Sequence, residues 1–421
     1  MKYLILLGDG MADDPLAVLG NKTPLEYART PHMDRMAAEG TLGLIDTIPP
    51  GLPPGSDVAN LAVLGYDPRV CYTGRGPLEA ANMGISLAPE DVAFRCNLVT
   101  LGSDKNGDRF EICPHMVDPI MVDFTAGHIS SAEAGRIIID LDRAIGSENF
   151  RFYPGVGYRH LLVWKGGEAE LAATPPHDIT GKTIGPYLPS GRGADKIIRL
   201  IQHSRDFLAD HPVNRERLSR GLKAANAIWP WGQGRAPRMQ KITERFHLRG
   251  GVISAVDLLN GIGVYAGLKV LPVEGATGYT DTNYAGKAEK ALTAFSELDL
   301  VFVHVEAPDE MGHEGNVEGK IKAIEDFDEK VVGTILRGIP RLGDFRVAVL
   351  SDHPTPILLK THTADPSPFA VLSSREVENQ ARGISFGERN AKGTGNMISP
   401  GHRFMEHFLG NWRRFFEQNT R

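Results

Sequence analysis

The stretch Leu300-Val301-Phe302-Val303-His304-Val305, followed at once by Glu306-Ala307-Pro308-Asp309-Glu310-Met311-Gly312-His313, decides how this chain is read. Its first six residues form a short run rich in β-branched and aromatic residues, which predicts a buried strand of a parallel sheet. Just past the strand's C-terminal end, Asp309 and His313 stand four residues apart. In open α/β sheets that edge is where ligands bind. A carboxylate with an imidazole suits a divalent ion such as Zn²⁺ or Mn²⁺. The same residues would also serve an ordinary acidic turn, so the reading depends on what the rest of the chain adds.

Working outward, a periodic amphipathic helix is expected over 320–336, and a second buried strand over 346–350 ends in Ser351-Asp352-His353. Ten residues beyond Asp352 comes the loop Lys360-Thr361-His362-Thr363-Ala364-Asp365-Pro366. Upstream, 256–266 and 281–292 have helical periodicity, and 268–273 has the pattern of a strand. The pattern recurs at the N-terminus, where the apolar run 3–7 ends in Gly8-Asp9-Gly10, a carboxylate between two glycines that let the backbone turn beside a ligand. A helix follows over 30–40, with Thr30 as its cap, Pro31 in its first turn and Gly40 as its stop. The proline-rich stretch 49–55 then leads to Ser56 at the start of a helix over 58–64. Serine there is commonly only a cap, but helix-end amides could also support it as a nucleophile carrying a phosphoryl group. Gly74-Arg75-Gly76-Pro77 forms a glycine-flanked arginine loop suited to an anion.

A chain of 421 residues is too long for one core. Between the two α/β stretches, short alternating segments such as 93–99 and 157–164 read as strands with one polar face, with helices over 131–139 and 194–209. The expected division is therefore 1–92 and 238–421 as a metal-binding α/β domain, and 93–237 as a smaller inserted α+β domain. A formal net charge of −6 argues against a nucleic-acid or membrane-surface binder, so anionic ligands must be met by local basic groups. Cys71, Cys96 and Cys113 have neither metal-type spacing nor a disulfide framework. The N-terminal apolar run is too short for a targeting segment and no stretch is long enough to span a membrane, so the expected location is cytoplasmic.

Three aspartates, Asp9, Asp309 and Asp352, each follow a predicted buried strand. His313 and His353 stand beside two of them, and His362 lies in a nearby loop. Parallel strands present such ends on one edge. These residues suffice for two divalent ions, which roughly 4 Å apart can clamp a transferring phosphoryl group and activate a hydroxyl. The residues alone thus lead to a binuclear metalloenzyme acting on a phosphate ester through Ser56.

Gly8-Asp9-Gly10, Gly55-Ser56-Asp57, Asp309-x-x-x-His313, Asp352-His353 and His362-Thr363-Ala364-Asp365-Pro366 resemble the metal and nucleophile motifs of the alkaline phosphatase superfamily. Within it, the chain is similar to archaeal-type 2,3-bisphosphoglycerate-independent phosphoglycerate mutases, along nearly its whole length. Gly74 to Ala80, Tyr158-Arg159-His160 and Glu306 to Glu310 share in that likeness. The resemblance implies an alkaline phosphatase-like, mostly parallel sheet sandwiched by helices. It implies one ion on Asp309, His313 and His362, and another on Asp9, Ser56, Asp352 and His353, with Ser56 as the phosphorylated nucleophile. Mn²⁺ is the first expectation, with Zn²⁺, Co²⁺ or Mg²⁺ as alternatives, and no 2,3-bisphosphoglycerate is required. The substrate implied is a small phosphorylated three-carbon acid, its phosphoryl group moving between 3- and 2-phosphoglycerate. Lys287 and Arg75 are expected to face the phosphate, and Arg95, Arg159, His160 and Arg235 the carboxylate. A homoserine kinase-like phosphotransferase and a phosphomonoesterase are the alternatives on the same metal set, although no Gly-x-x-x-x-Gly-Lys-Ser/Thr loop is present.

Overall fold

The apolar stretches Lys2–Gly8, Leu300–Val305 and Phe345–Leu350 lie side by side in the computed structural model, which describes residues 1–103, 118–375 and 383–412. Lys2–Gly8 is the middle strand and is parallel to both neighbours. Its register sets Leu7 opposite both His304 and Leu350, and Gly8 opposite Val305. All three strands therefore end level, and Asp9, Glu306 and Ser351 emerge together at the C-terminal edge. On one side the sheet continues through Gly250–Ile253 to Lys269–Val270. On the other it continues through Ser367–Ser373, antiparallel to both of its neighbours, to Thr41–Ile45 and Met397–Ile398. The result is an eight-stranded, mostly parallel α/β sheet, as expected.

Both faces of the central strands are buried, which is why their sequences are continuously apolar rather than alternating. Leu4, Leu6, Val301, Val303, Val347 and Val349 pack with Met33, Met36, Ala288, Phe327 and Ile335 from helices on one face. The intervening Ile5, Phe302 and Ala348 are equally buried on the other.

The segment expected as one helix over 320–336 is helical throughout but irregular. An α-helix Val317–Asp326 passes through a π-helical turn Phe327–Val332 into Gly333–Gly338. In that turn Asp328 is fully buried and accepts hydrogen bonds from the backbone N–H groups of His32 (3.2 Å) and Met33 (2.7 Å). It thereby caps the helix Pro31–Glu39 from 295 residues away in sequence. Thr30, the expected cap, makes no capping bond. The strand expected over 268–273 shrinks to Lys269–Val270.

The chain divides into two units, Met1–Tyr72 with Arg238–Arg421, and Thr73–Pro237. The first boundary falls twenty residues before the expected 92/93. The helix Arg75–Asn82 belongs with the second unit because Gly76 lies directly on the backbone of Ala93, where a Cβ would collide with the carbonyl oxygen at 2.2 Å. In the second unit, Val92–Gly102 pairs with Arg159–Trp164, Ala227–Gly234 and Ile120–Asp123, and Phe150–Val156 adds to Arg159–Trp164. The helices Ser131–Ile145 and Ala194–Ala209 cover one face, packing Ile137, Ile138, Leu141, Ile197 and Ile201 on Phe94, Cys96, Leu98 and Leu162. Cys71 and Cys96 are buried free thiols; Cys113 lies outside the described residues.

Replacing Asp328 with Ala would leave two helix-end amides without their acceptor, and should destabilise the protein by about 1–3 kcal/mol. Asp328→Asn, which keeps an acceptor oxygen, should cost less. Urea unfolding of the two variants checks this; a wild-type midpoint for Asp328→Ala would show that the cap contributes nothing.

Candidate active site

The level strand ends bring together the groups that the sequence placed after them. Gly10 has φ of 58°, and a Cβ there would collide with Asp309 Oδ1 and Thr355 Oγ1. Only glycine lets Asp9 and Asp309 approach so closely. The Gly10 N–H donates to Asp352 Oδ1 (3.1 Å), as does the His353 N–H (2.9 Å), while Asn60 Nδ2 donates to Asp352 Oδ2 (2.9 Å). These bonds fix the Asp352 carboxylate before any ligand arrives.

Ser56 begins the helix Ser56–Val63, with Gly55 in the cap position. Its Oγ lies 3.2 Å from His353 Nε2. The same nitrogen is 3.4 Å from Asp9 Oδ1 and 3.6 Å from Asp352 Oδ2, so four donor groups surround one point. Asp309 forms the second focus. His313 Nε2 lies 3.1 Å from Asp309 Oδ2, and His362 Nε2 lies 3.5 Å from Oδ1. His313 now sits on a short helix, Ala307–Glu314, so the four-residue spacing puts it and Asp309 on one helical face. Its Nδ1–H donates to the Lys360 carbonyl (3.0 Å), which turns the Nε2 lone pair inward.

Among the described residues, three groups of donor atoms are close enough to share an ion: Asp309, His313 and His362; Asp9, Asp309 and His353; and Asp9, His304 and Glu306. The donor set fits divalent cations on its own chemistry. His313 Nε2 and His362 Nε2 are only 2.9 Å apart, both aimed at Asp309. Asp9 Oδ1 and Glu306 Oε2 are buried without a hydrogen-bond partner.

The electrostatics follow from the burial and crowding of these carboxylates. Burial, reinforced by Asp352, Glu306 and Asp309, pushes the Asp9 carboxyl well above its usual range. Burial and Asp309 push Glu306 up to about 8. Asp309 is also raised by burial, but its bonds to His313 and His362 outweigh that and hold it well below the usual value. In return, the Asp309 bond lifts His313 to about 9. Burial lowers His304 to about 3, and Lys287 to about 8 against the pull of Glu306.

Lys287 is fully buried and donates to the His304 carbonyl (3.0 Å), beneath the cluster. The remaining residues expected at the substrate belong to the second unit. The Arg95 guanidinium stacks on Trp231 (4.9 Å to the ring centre) and pairs with Glu79 (3.2 Å), and Arg75 lies 6.0 Å from the same ring. Arg159 stands opposite Asn97 in the sheet and so shares the face of Arg95. Burial lowers the Arg95 pKa; Glu79 opposes this, while Arg75 and Arg159 add to it, as in a crowded cationic patch. His160 is not part of that patch. It stands opposite Cys96, on the helix-covered face, where burial lowers it to about 3 and its Nδ1 accepts from the Gly155 N–H. The alternation of side chains across a strand puts consecutive Arg159 and His160 on opposite faces. Arg235 is engaged elsewhere, by Glu90 (3.2 Å) and the Gly167 carbonyl (2.9 Å).

Four groups were missed in the sequence reading: His304, Glu306, Asn60 and Lys320. His304 could have been found as the lone polar residue in an otherwise apolar strand. Lys320 is wholly buried and bonded to Asp13 (2.7 Å) and to the Thr355 carbonyl (2.8 Å), but its helical periodicity gave no hint of this.

The level strand ends and the Asp/His cluster define a mostly parallel α/β protein with a group of potential metal ligands at one sheet edge. Residues 37–214 match the family model described as 2,3-bisphosphoglycerate-independent phosphoglycerate mutase. The mutase of that name from Methanosarcina barkeri is 52% identical over 394 residues, covering 93% of this chain and 95% of the relative. A solved protein from Pyrococcus horikoshii superposes with a TM-score of 0.79 at 30% identity, covering 97% of each chain. The cofactor-independent phosphoglycerate mutase of Thermoplasma acidophilum gives 0.63 at 26% identity, over 97% of this chain and 99% of that one. The chain belongs to the family of 2,3-bisphosphoglycerate-independent phosphoglycerate mutases, which are isomerases. The homoserine kinase-like and phosphomonoesterase alternatives are not favoured by these relatives. No helix among the described residues is long and apolar enough to cross a membrane.

If Asp309, His313 and His362 hold a cation, it must displace the proton that Asp309 holds on His313 up to about pH 9, and metal affinity at that group should fall about tenfold per unit as pH drops below that value. His313→Ala should make this slope shallower and lose metal, and Asp352→Ala should lose metal as well. Metal content after dialysis at several pH values measures both; full loading of either variant would separate these residues from the ion.

Proposed function

We propose that the protein interconverts 3-phosphoglycerate and 2-phosphoglycerate through a phosphoserine at Ser56, without 2,3-bisphosphoglycerate. The observation that carries this is the position of Ser56 Oγ, at a helix start and 3.2 Å from His353 Nε2 within the Asp9, Asp352 and Asp309 cluster. Asp309, His313 and His362 would hold one divalent cation, and Asp9, Ser56, Asp352 and His353 the other, with Mn²⁺ as the first choice. When bound, such cations lower the pKa of the serine hydroxyl and offset charge on the phosphoryl oxygens.

The protein's own groups do the rest. Ser56 Oγ forms the new bond to phosphorus as the bond to the glycerate oxygen breaks; the serine gives up its proton and the departing oxygen gains one. In the second half the other glycerate hydroxyl attacks the phosphoserine, and Ser56 recovers its proton. Amides at the first turn of the helix Ser56–Val63 favour the added negative charge. Lys287, buried beneath the cluster, contributes positive potential rather than a direct phosphate contact. Within the second unit, the Arg75, Arg95 and Arg159 patch is the proposed receiver of the carboxylate. His160 and Arg235 are left out because their positions serve packing and local ion pairing. The reaction is assigned to the cytoplasm, where a diffusible phosphorylated acid would be met.

Ser56→Ala should fold normally, since losing one helix-end hydroxyl costs only about 1 kcal/mol. Turnover should fall to background, and mass spectrometry of wild-type enzyme quenched with substrate should place phosphate on Ser56. Full activity in Ser56→Ala would reduce the residue to a helix-end serine.

A mutase must also outcompete water, at roughly 55 M, with a held hydroxyl that can act at about 10⁵ M. The intact protein should therefore yield 2-phosphoglycerate with little free phosphate, and Arg159→Ala should shift product towards phosphate and glycerate. Release of mostly inorganic phosphate by the intact protein would make it a hydrolase.

A further inference from the structure

His304 is set apart by having both ring nitrogens engaged in one ordered sequence of hydrogen bonds. It lies in the strand Leu300–Val305, every residue of which is buried. Its Nε2 is 2.8 Å from Asp9 Oδ2, and its Nδ1 is 3.2 Å from Ser254 Oγ. Ser254 Oγ accepts the backbone N–H of Val256 (3.0 Å) and keeps its own hydrogen to donate. An ionised Asp9 carboxylate can only accept, which places the ring proton on Nε2, with Nε2–H donating to Asp9 and Nδ1 accepting from Ser254. Glu306 Oε2, at 3.4 Å, is the more distant competitor for that proton. The other Asp9 oxygen, Oδ1, has no hydrogen-bond partner, and lies 3.4 Å from His353 Nε2.

We propose that His304 is a positioning residue for Asp9. By occupying Oδ2 it holds the carboxylate in one orientation, with Oδ1 turned towards His353 and Asp309, and Ser254 selects the tautomer that makes this possible. The inference rests on the metal reading of the cluster given above. The contrasting roles are that of a core histidine which Asp9 merely satisfies, since a buried imidazole needs partners wherever it lies, and that of a direct ion ligand beside Asp9 and Glu306, which an amide in its place would not restore.

Two substitutions separate these roles. The amide nitrogen of Gln can take the place of imidazole Nε2, whereas that of Asn falls at the position of Nδ1 and is too short to reach Asp9. The full-length protein, stripped with a chelator, would be titrated with Mn²⁺ by calorimetry as wild type, His304→Gln and His304→Asn, each with a thermal melt. His304→Asn should bind Mn²⁺ about 10–100-fold more weakly, the usual cost of removing a group that orients a metal ligand. His304→Gln should stay within about threefold of wild type. Equal losses in the two variants, or wild-type affinity in a cooperatively melting His304→Asn protein, would overturn the positioning role alone. A wild-type chain that takes up no Mn²⁺ would overturn the metal reading and this inference with it. Should His304→Asn fail to fold, His304→Gln still tests the affinity, and ¹⁵N spectra of the histidine-labelled wild type test the tautomer that the proposal requires. A protonated Nε2 and bare Nδ1 on His304 are expected, and the opposite tautomer would overturn the proposal.

Discussion

Asp9, Glu306, Asp309 and Asp352 crowd one dry edge of a parallel sheet, and the surrounding structure can be read as a response to that repulsion. Two carboxylates about 4 Å apart repel by roughly 4 kcal/mol at an effective dielectric of about 20. Burial compounds this, which is why Asp9 and Glu306 are pushed so far up. The protein answers with donors rather than distance. Gly10 N–H, Asn60 and the His353 N–H converge on Asp352, and His304 binds Asp9. His313 and His362 lie against Asp309, and the buried Lys287 ammonium lies beneath. What these do not balance is the part left for cations.

One layer further out, the same strategy ties loops together. Lys320, fully buried, donates to the carbonyls of Ala12 and Thr355 and pairs with Asp13. Asp13 in turn accepts from the Ile357 N–H. One buried ion pair thus bridges the loop after Asp9 and the loop after His353. Such a pair is weak evidence for net stability, but removing one partner strands the other and typically costs about 3–5 kcal/mol. Its effect is to fix the loops that follow Asp9 and His353 relative to each other. Their freedom would otherwise let the crowded carboxylates drift apart.

Groups whose position follows from local pattern were legible in the sequence. Asp9, Asp309 and Asp352 could be placed because each ends an apolar run, and runs of that kind become neighbouring parallel strands. Groups whose partner is supplied by register or long-range packing were not. Asp328 reaches the helix Pro31–Glu39 from within a π-helical turn, and nothing local in 320–336 announces that turn. His160 was misplaced for the converse reason. It is one residue from Arg159, and proximity in sequence within a strand means opposite faces. The early domain boundary has the same origin: Gly76 is fitted to Ala93, a pairing visible only once the sheet exists.

The two foci of the cluster are unlike in access as well as in donors. The side chains of Asp9, Asp352 and His353 have no exposure, while His313 and His362 keep 35% and 18% of theirs. The buried focus is made of strand ends and is held by backbone amides that cannot move without opening the sheet. The open focus is made of one helix, Ala307–Glu314, and a loop at Lys360 to His362, linked through the His313 bond to the Lys360 carbonyl. Lys360 has a φ of 56°, a conformation that costs a non-glycine residue energy and persists only when its surroundings impose it. The strain therefore lies on the side of the cluster that faces solvent. There a loop must be held in place to aim an imidazole, whereas the sheet edge aims its carboxylates through register alone.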